Sequence, residues 1–392
     1  MLVHTENNRT FYAACATNFL LRMEWGIATS FLPIHIYELG ATAIEVGLVF
    51  TVFAAISVFS NPFWGGLSDS LGRRKRFIVL GMVGLLPIYV LMAFQEAVLP
   101  LILLRGSTAF MKGAVVPSTW ALVSDLSSSG TVGRNMGILS AFEVAGFAVG
   151  PVLGGIVAEV ASFSALWLLV AAICLSGGML FMFAGRDPVS LKRTTVRPPF
   201  FRAVTSRGVV RKVLPVATAF AIFLFGFSFL GPNLNVYLIR DLGYSKAFLG
   251  TLSFLGTGVA TVLQLFSGHL SDKFGRKPVM ALGALSLTGG NLVLLLGGAV
   301  PWVILSRILI SYYNTFQMAA SAYVSEIVSP AEKSGALGLL TAIGSVARSS
   351  SSLAGGVVLT WTSVPTTLTI AATFSALSIL VLLLSVKESK DS

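Results

Sequence analysis

Seven charged residues fall deep inside long apolar stretches of the sequence: Arg22, Glu24, Arg105, Lys112, Glu143, Arg307 and Arg348. A charge at the centre of a lipid bilayer costs about 2.5 to 3.5 kcal/mol on insertion scales, so such residues survive where they pair or where they line a wet cavity. Glu24 and Glu143 are the two acids of the set. A carboxyl group can load and release a proton, which makes these two the natural carriers if a proton gradient is used. The competing reading is a fixed ion pair with Arg22, Arg105, Lys112 or Arg348. Arg22 and Glu24 stand two positions apart, which puts them on different faces of a helix, so each needs its own partner on another element.

The five cations outnumber the two acids, and a positive surplus favours recognition of a negatively charged group. Arg105, Thr108, Lys112 and Thr119 follow helical spacing and share one face. Lys112 on that face either pairs with Glu24 or Glu143 or meets an anionic group in an aqueous space. Three more polar stripes interrupt apolar helices: Arg307, Ser311, Asn314, Gln317 and Ser321; Thr257, Thr261 and Gln264; and Ser345, Arg348 and Ser352. Such stripes hydrogen-bond between helices or line a cavity, because helices this polar cannot face lipid all round. Trp25, one turn beyond Arg22, is the best candidate for an aromatic contact. The candidate cavity lining is therefore Arg22, Trp25, Lys112, Gln264, Asn314, Gln317 and Arg348, with Asn233, Asn235 and Tyr237 bordering its outer mouth.

The elements that must hold these residues are membrane helices. Of 392 residues 55% are hydrophobic and only 11% charged, where a soluble chain carries about 25% charged residues. Each crossing needs about 20 mostly apolar residues. Apolar runs bounded by Gly, Pro and charge predict twelve spans at 11–33, 44–64, 77–94, 98–122, 136–159, 163–184, 213–239, 247–267, 278–298, 301–325, 335–360 and 364–386. Cys15 and Cys174 lie in such runs and read as buried thiols. The three histidines have no ligand-spaced neighbours, so neither a metal nor any other cofactor is expected. The net charge of +11 is scattered over short connections, which argues against nucleic acid and for anionic lipid headgroups.

Lys and Arg in the connections and terminal segments divide 20 to 2 between the two sides, which predicts that both termini are cytoplasmic. The longest connection, 186–212, carries eight of them and separates an amino-terminal bundle at 1–185 from a carboxy-terminal bundle at 213–392. The two halves repeat. Gly40 and Gly243, Gly47 and Gly250, Asp69 and Asp272, and Gly72 and Gly275 are each 203 residues apart, while Arg105 and Arg307 are 202 apart. The expected fold is all-α, with twelve transmembrane helices in two pseudo-symmetric six-helix bundles.

The connection after span two reads Gly65-Gly66-Leu67-Ser68-Asp69-Ser70-Leu71-Gly72-Arg73-Arg74-Lys75, and its second copy reads Gly268-His269-Leu270-Ser271-Asp272-Lys273-Phe274-Gly275-Arg276-Lys277. Gly72 and Gly275 suit tight turns. Asp69 and Asp272 can bond backbone N–H groups or a helix N-terminus, and the Arg and Lys cluster can anchor the turn to headgroups. At these residues the chain resembles the major facilitator superfamily. The resemblance implies a transporter whose Gly65, Asp69, Gly72, Arg73, Arg74, Asp272, Gly275 and Arg276 latch one access state without touching substrate.

Span five contains Gly146-Phe147-Ala148-Val149-Gly150-Pro151-Val152-Leu153-Gly154-Gly155. Its Gly146 and Gly150 are small-residue packing positions, and Pro151 bends the span. The string is also similar to the fifth-span signature of the drug/proton antiporter branch, which implies export. Arg105 resembles that branch's fourth-span arginine, a proton-relay candidate, although Ala109 stands where the signature has glycine. The expected activity is proton-coupled export of small amphipathic organic compounds by a monomeric plasma-membrane carrier, without catalysis. The alternative is a carrier for an anionic metabolite or a sugar, working as an importer or facilitator. A membrane-embedded enzyme finds no nucleophile, base and orienting group at usable spacing.

Overall fold

The computed structural model describes residues 2–128, 130–187, 207–330 and 332–386, so most of the expected linker, at 188–206, lies outside the described residues. The described residues form fourteen helices. Six occupy the first half: α1 (Leu2–Glu38), α2 (Ala43–Leu71), α3 (Arg74–Ala93), α4 (Val98–Leu126), α5 (Val132–Val160) and α6 (Phe163–Ala184). Eight follow: α7 (Arg207–Phe229), α8 (Gly231–Arg240), α9 (Lys246–Phe274), α10 (Arg276–Leu294), α11 (Val300–Ser311), α12 (Asn314–Ile327), α13 (Lys333–Trp361) and α14 (Val364–Ser385). Every predicted span falls on a helix or a helix pair. Eight stretches are long and apolar enough to cross a membrane by composition alone. Outside that set stand α1, α10, α13 and the α11–α12 pair, which are richer in polar residues or broken.

Two spans expected to be continuous are broken. In span seven the chain turns at Leu230 before Gly231 and Pro232, where the proline removes a backbone donor. In span ten the break falls at Tyr312 and Tyr313. There the Tyr313 amide reaches back only three residues, to the Ile310 carbonyl at 3.2 Å, and the Tyr312 hydroxyl bonds Ser267 on α9. The stripe from Arg307 to Ser321 is therefore split between α11 and α12, where helical spacing predicts a single face.

The chain gathers into two compact units. The first contains Met1–Ala41, Val52–Thr195 and Gly243–Thr251; the second contains Thr42–Thr51, Val196–Leu242 and Leu252–Ser392. Within the first, α1 packs on α5 and α6, and α3 packs on α4 and α6. Within the second, α7 packs on α13 and α14, and α10 packs on α11, α12 and α14. The same pairing recurs: first span with fifth, third with fourth and sixth. The duplication is also conformational, since Gly40, Gly243, Gly72 and Gly275 all adopt positive φ, between 61° and 97°, where a side chain would be strained. Ser162 and Ser363 cap α6 and α14 in the same way, accepting from the amides of Ala165 and Thr366.

Close backbone approach fixes the first unit. A methyl group built on Gly146 or Gly150 would collide with the carbonyl oxygens of Phe19 and Met23 on α1, and one on Gly26 would meet Phe147 on α5. These are small-residue contacts of the kind that hold membrane helices together without hydrophobic drive. Gly155 lies equally close to the carbonyl of Lys246, and Gly154 packs on the side chains of Ile27 and Phe31.

Candidate functional site

The first unit collects most of the deep charge around α1. Glu24, fully buried, points towards α3 and α4, where its Oε2 lies 2.7 Å from Lys112 Nζ and its Oε1 accepts the hydroxyl of Tyr89. Arg22 projects towards α5 and meets Glu143, Nη2 to Oε1, at 2.9 Å. Glu143 also accepts from Asn18 Nδ2 at 2.7 Å and from the Trp120 indole at 3.0 Å. The two residues that cannot share a helical face thus have separate partners on α4 and α5. Of the partners that spacing leaves open for Lys112, the one beside it in this structure is Glu24.

Aromatic rings complete the cluster. The Arg22 guanidinium lies 4.7 Å from the Trp25 ring, and Lys112 Nζ is 5.1 Å from Trp25 and 5.3 Å from Phe53. Arg105, 1% exposed, sits 4.3 Å from Phe53. Its Nη1 is buried with no hydrogen-bond partner, and no carboxylate pairs with it among the described residues. Three cations therefore face two acids, and the cluster retains one uncompensated positive charge. A cation over an aromatic face recovers about 2 kcal/mol when desolvated, less than a counter-ion would supply.

Among the described residues, no ion pair reaches Arg307 or Arg348, the two deep cations of the second unit. Arg307 donates from Nη2 to Ser253 Oγ at 3.1 Å beside a small cavity lined by Leu234, Leu252 and Ile310. Arg348 lies 5.6 Å over Phe227, which is stacked on Tyr313 at 3.9 Å between centroids. Asn314 begins α12 next to Tyr313, while Gln317 is exposed and Gln264 half-buried. The structure does not join these last two to Arg348. Asn233 and Asn235, expected at an open mouth, are buried, and Asn233 donates to the Ala43 carbonyl at 3.4 Å.

The two loop motifs build matching networks, with a correction. Asp69 does not cap backbone; it pairs with Arg74. Nor does Arg74 reach for headgroups, since it is buried against Ser68 and Asp125, with Nε to Oδ2 at 3.3 Å. In the second copy Arg276 bonds Asp272 at 2.7 Å, Ser271 at 2.8 Å and Glu326 at 2.7 Å. Asp125 and Glu326, 201 residues apart, are the third members of each network. Arg73 is exposed, and Gly65 packs near Pro117.

Tyr89, Phe53, Trp120, Asp125 and Glu326 join these networks without being singled out by the sequence. The first three read as ordinary packing aromatics in apolar runs, and the two acids sit at span ends where charge is unremarkable. The repeat does carry a signal for the acids: Asp125 follows Arg74 by 51 residues and Glu326 follows Arg276 by 50.

An all-helical chain with duplicated bundles, buried intramembrane ion pairs and paired loop networks is a membrane transporter in architecture. The Major Facilitator Superfamily profile matches residues 14–231 and 216–392, and the chain belongs to that superfamily. It is 27% identical over 292 residues to the multidrug resistance protein MdtG of Rahnella sp. (strain Y9602), covering 71% of this chain and 69% of that protein. It is 28% identical over 280 residues to the protein of the same name from Proteus mirabilis (strain HI4320), covering 67% of each. In fold it is similar to the crystal structure of the nucleoside transporter NupG, with a TM-score of 0.76 at 14% identity, covering 95% of this chain and 98% of that one. The chain is a transporter and not an enzyme.

Proposed function

We propose that the protein is a proton-coupled exporter of small amphipathic organic compounds, working as a monomer by alternating access in the plasma membrane with both termini cytoplasmic. The observation that carries this reading is the buried Glu24–Lys112 pair on α1 and α4. A proton placed on Glu24 turns a neutral pair into a bare buried ammonium, and that change penalises the present arrangement by several kcal/mol. Proton binding can thus bias one access state against another, which is what coupling requires. The names of the MdtG relatives support export of drugs, and Trp25 and Phe53 offer apolar surface beside the charges. In the same reading, the bundles at 1–185 and 213–392 move about a central site, and the networks of Arg74 and Arg276 latch one state.

The test is flux in proteoliposomes. The panel is tetraphenylphosphonium, 2-naphthamide and 2-naphthoate, with and without an imposed pH gradient. At least one of the three is expected to move against its own gradient when protons run the other way, and Glu24→Gln is expected to abolish that response. Flux that ignores the pH gradient for all three would leave a facilitator and remove proton coupling.

A further inference from the structure

Arg348 has an unusual position for an arginine in a membrane helix. It lies 15 residues after the start of α13 and 13 before its end, about 20 Å from either terminus at 1.5 Å per residue, which is beyond the reach of lipid headgroups. It does not face lipid. Gly344, Ser351, Ser352 and Gly355 recur with it at helical spacing, and all four touch α7: Gly344 at Phe220 and Leu224, Ser351 at the Phe225 carbonyl, Ser352 at the Ser228 carbonyl and Gly355 at Phe229. Val346, two positions away, is the exposed residue of the opposite face. Arg348 therefore points along the α7 seam into the second unit.

Nothing there neutralises it. Among the described residues no carboxylate or hydrogen-bond acceptor meets its guanidinium, which lies 5.6 Å over the Phe227 ring. The neighbouring hydroxyls are turned elsewhere: Ser345 and Ser349 bond carbonyls of their own helix, and Ser352 does the same to Arg348's carbonyl oxygen. Behind Phe227 stands Tyr313, placed by the break between α11 and α12. A half-buried, unpaired guanidinium beside a two-ring stack is chemistry for a flat apolar body bearing a negative group.

We propose that Arg348 binds the carboxylate of an amphipathic anion, with Phe227 and Tyr313 receiving its apolar part. The inference rests on the chain being an exporter of amphipathic compounds and names the charge class it prefers. A guanidinium can meet a carboxylate with two parallel N–H···O bonds, which a neutral amide cannot reproduce.

The experiment is equilibrium binding to the purified full-length protein in vesicles, with no gradient, so that it reads neither coupling nor direction. The probes are 2-naphthoate and 2-naphthamide, which share one ring system. The wild-type protein is expected to bind the carboxylate about tenfold more tightly, as a charge-assisted hydrogen bond provides. Arg348→Gln removes that preference, so that the two probes bind alike; Arg348→Lys retains part of it; Phe227→Leu weakens both probes together. Equal binding of the two probes by the wild type, or a preference that persists in Arg348→Gln, overturns the proposal. Vesicles of phosphatidylcholine alone and vesicles containing phosphatidylglycerol separate a soluble anion from a lipid phosphate. A preference that disappears in the second assigns the site to lipid and likewise overturns it. Proton-driven flux with no charge preference would sink this inference and leave the exporter standing, whereas a charge preference without driven flux would do the reverse.

Discussion

Glu24 and Lys112 approach to 2.7 Å from neighbouring helices, with side chains 0% and 4% exposed. Removing one partner of such a pair costs about 3 to 5 kcal/mol, while replacing both with apolar residues of similar volume is often neutral. Glu24→Met and Lys112→Met are each expected to lower the thermal midpoint in detergent, and the double variant to recover most of the loss. Proton-driven flux stays absent in the double variant while stability returns. Recovery of driven flux in the double variant would place the proton carrier elsewhere.

Glu143 differs from Glu24 in having two neutral donors, Asn18 and Trp120, besides its arginine. Glu143→Gln keeps an amide oxygen for those donors, and Arg22 is 19% exposed and partly hydrated. Its destabilisation is expected to be smaller than that of Glu24→Gln, about 1 to 2 kcal/mol. Chemical unfolding of the two variants side by side gives the order, and a larger loss in Glu143→Gln would contradict the burial argument.

The glycines of span five should not behave alike. At Gly146 and Gly150 an added methyl meets backbone carbonyls of α1, which cannot yield, whereas at Gly154 it meets the side chains of Ile27 and Phe31 at 3.0 to 3.1 Å, which can rotate. Gly146→Ala and Gly150→Ala are expected to reduce folded yield severely and Gly154→Ala mildly. Fluorescence size-exclusion profiles of the three variants report the ranking.

Asp69 and Asp125 hold Arg74, and Asp272 and Glu326 hold Arg276. Asp69→Asn, Asp125→Asn and Glu326→Gln are expected to slow turnover severalfold without changing the order of preference among solutes. A reordered solute series, measured by competition in flux assays, would mean that these loops touch substrate.

The span pattern, the repeat and the deep charges are legible in the sequence because hydropathy and charge are carried by residue type. Arg22 and Glu24 need different partners by helical geometry alone, and Trp25 is placed by its one-turn spacing from Arg22. The partners themselves depend on tertiary packing: nothing in the sequence distinguishes Tyr89 from any other tyrosine in an apolar run, nor says that Lys112 meets Glu24 and not Glu143. The break at Tyr312 and Tyr313 is invisible for a related reason, since no Gly or Pro marks it and the contact of Tyr312 with Ser267 on α9 exists only in the folded protein. Arg74 departs from its expected place because charge alone assigns a basic loop residue to headgroups, and only the fold brings Asp125 on α4 within its reach.

The seam between α1 and α5 has a mechanical consequence. Backbone touches backbone at Phe19, Met23 and Gly26, leaving no side-chain cushion to shear. The two helices must travel as one beam, carrying Arg22, Glu24 and Glu143 together at fixed spacing. Sliding of α1 along α5 would drive backbone into backbone, so a switch that works by shear between these two helices is disfavoured.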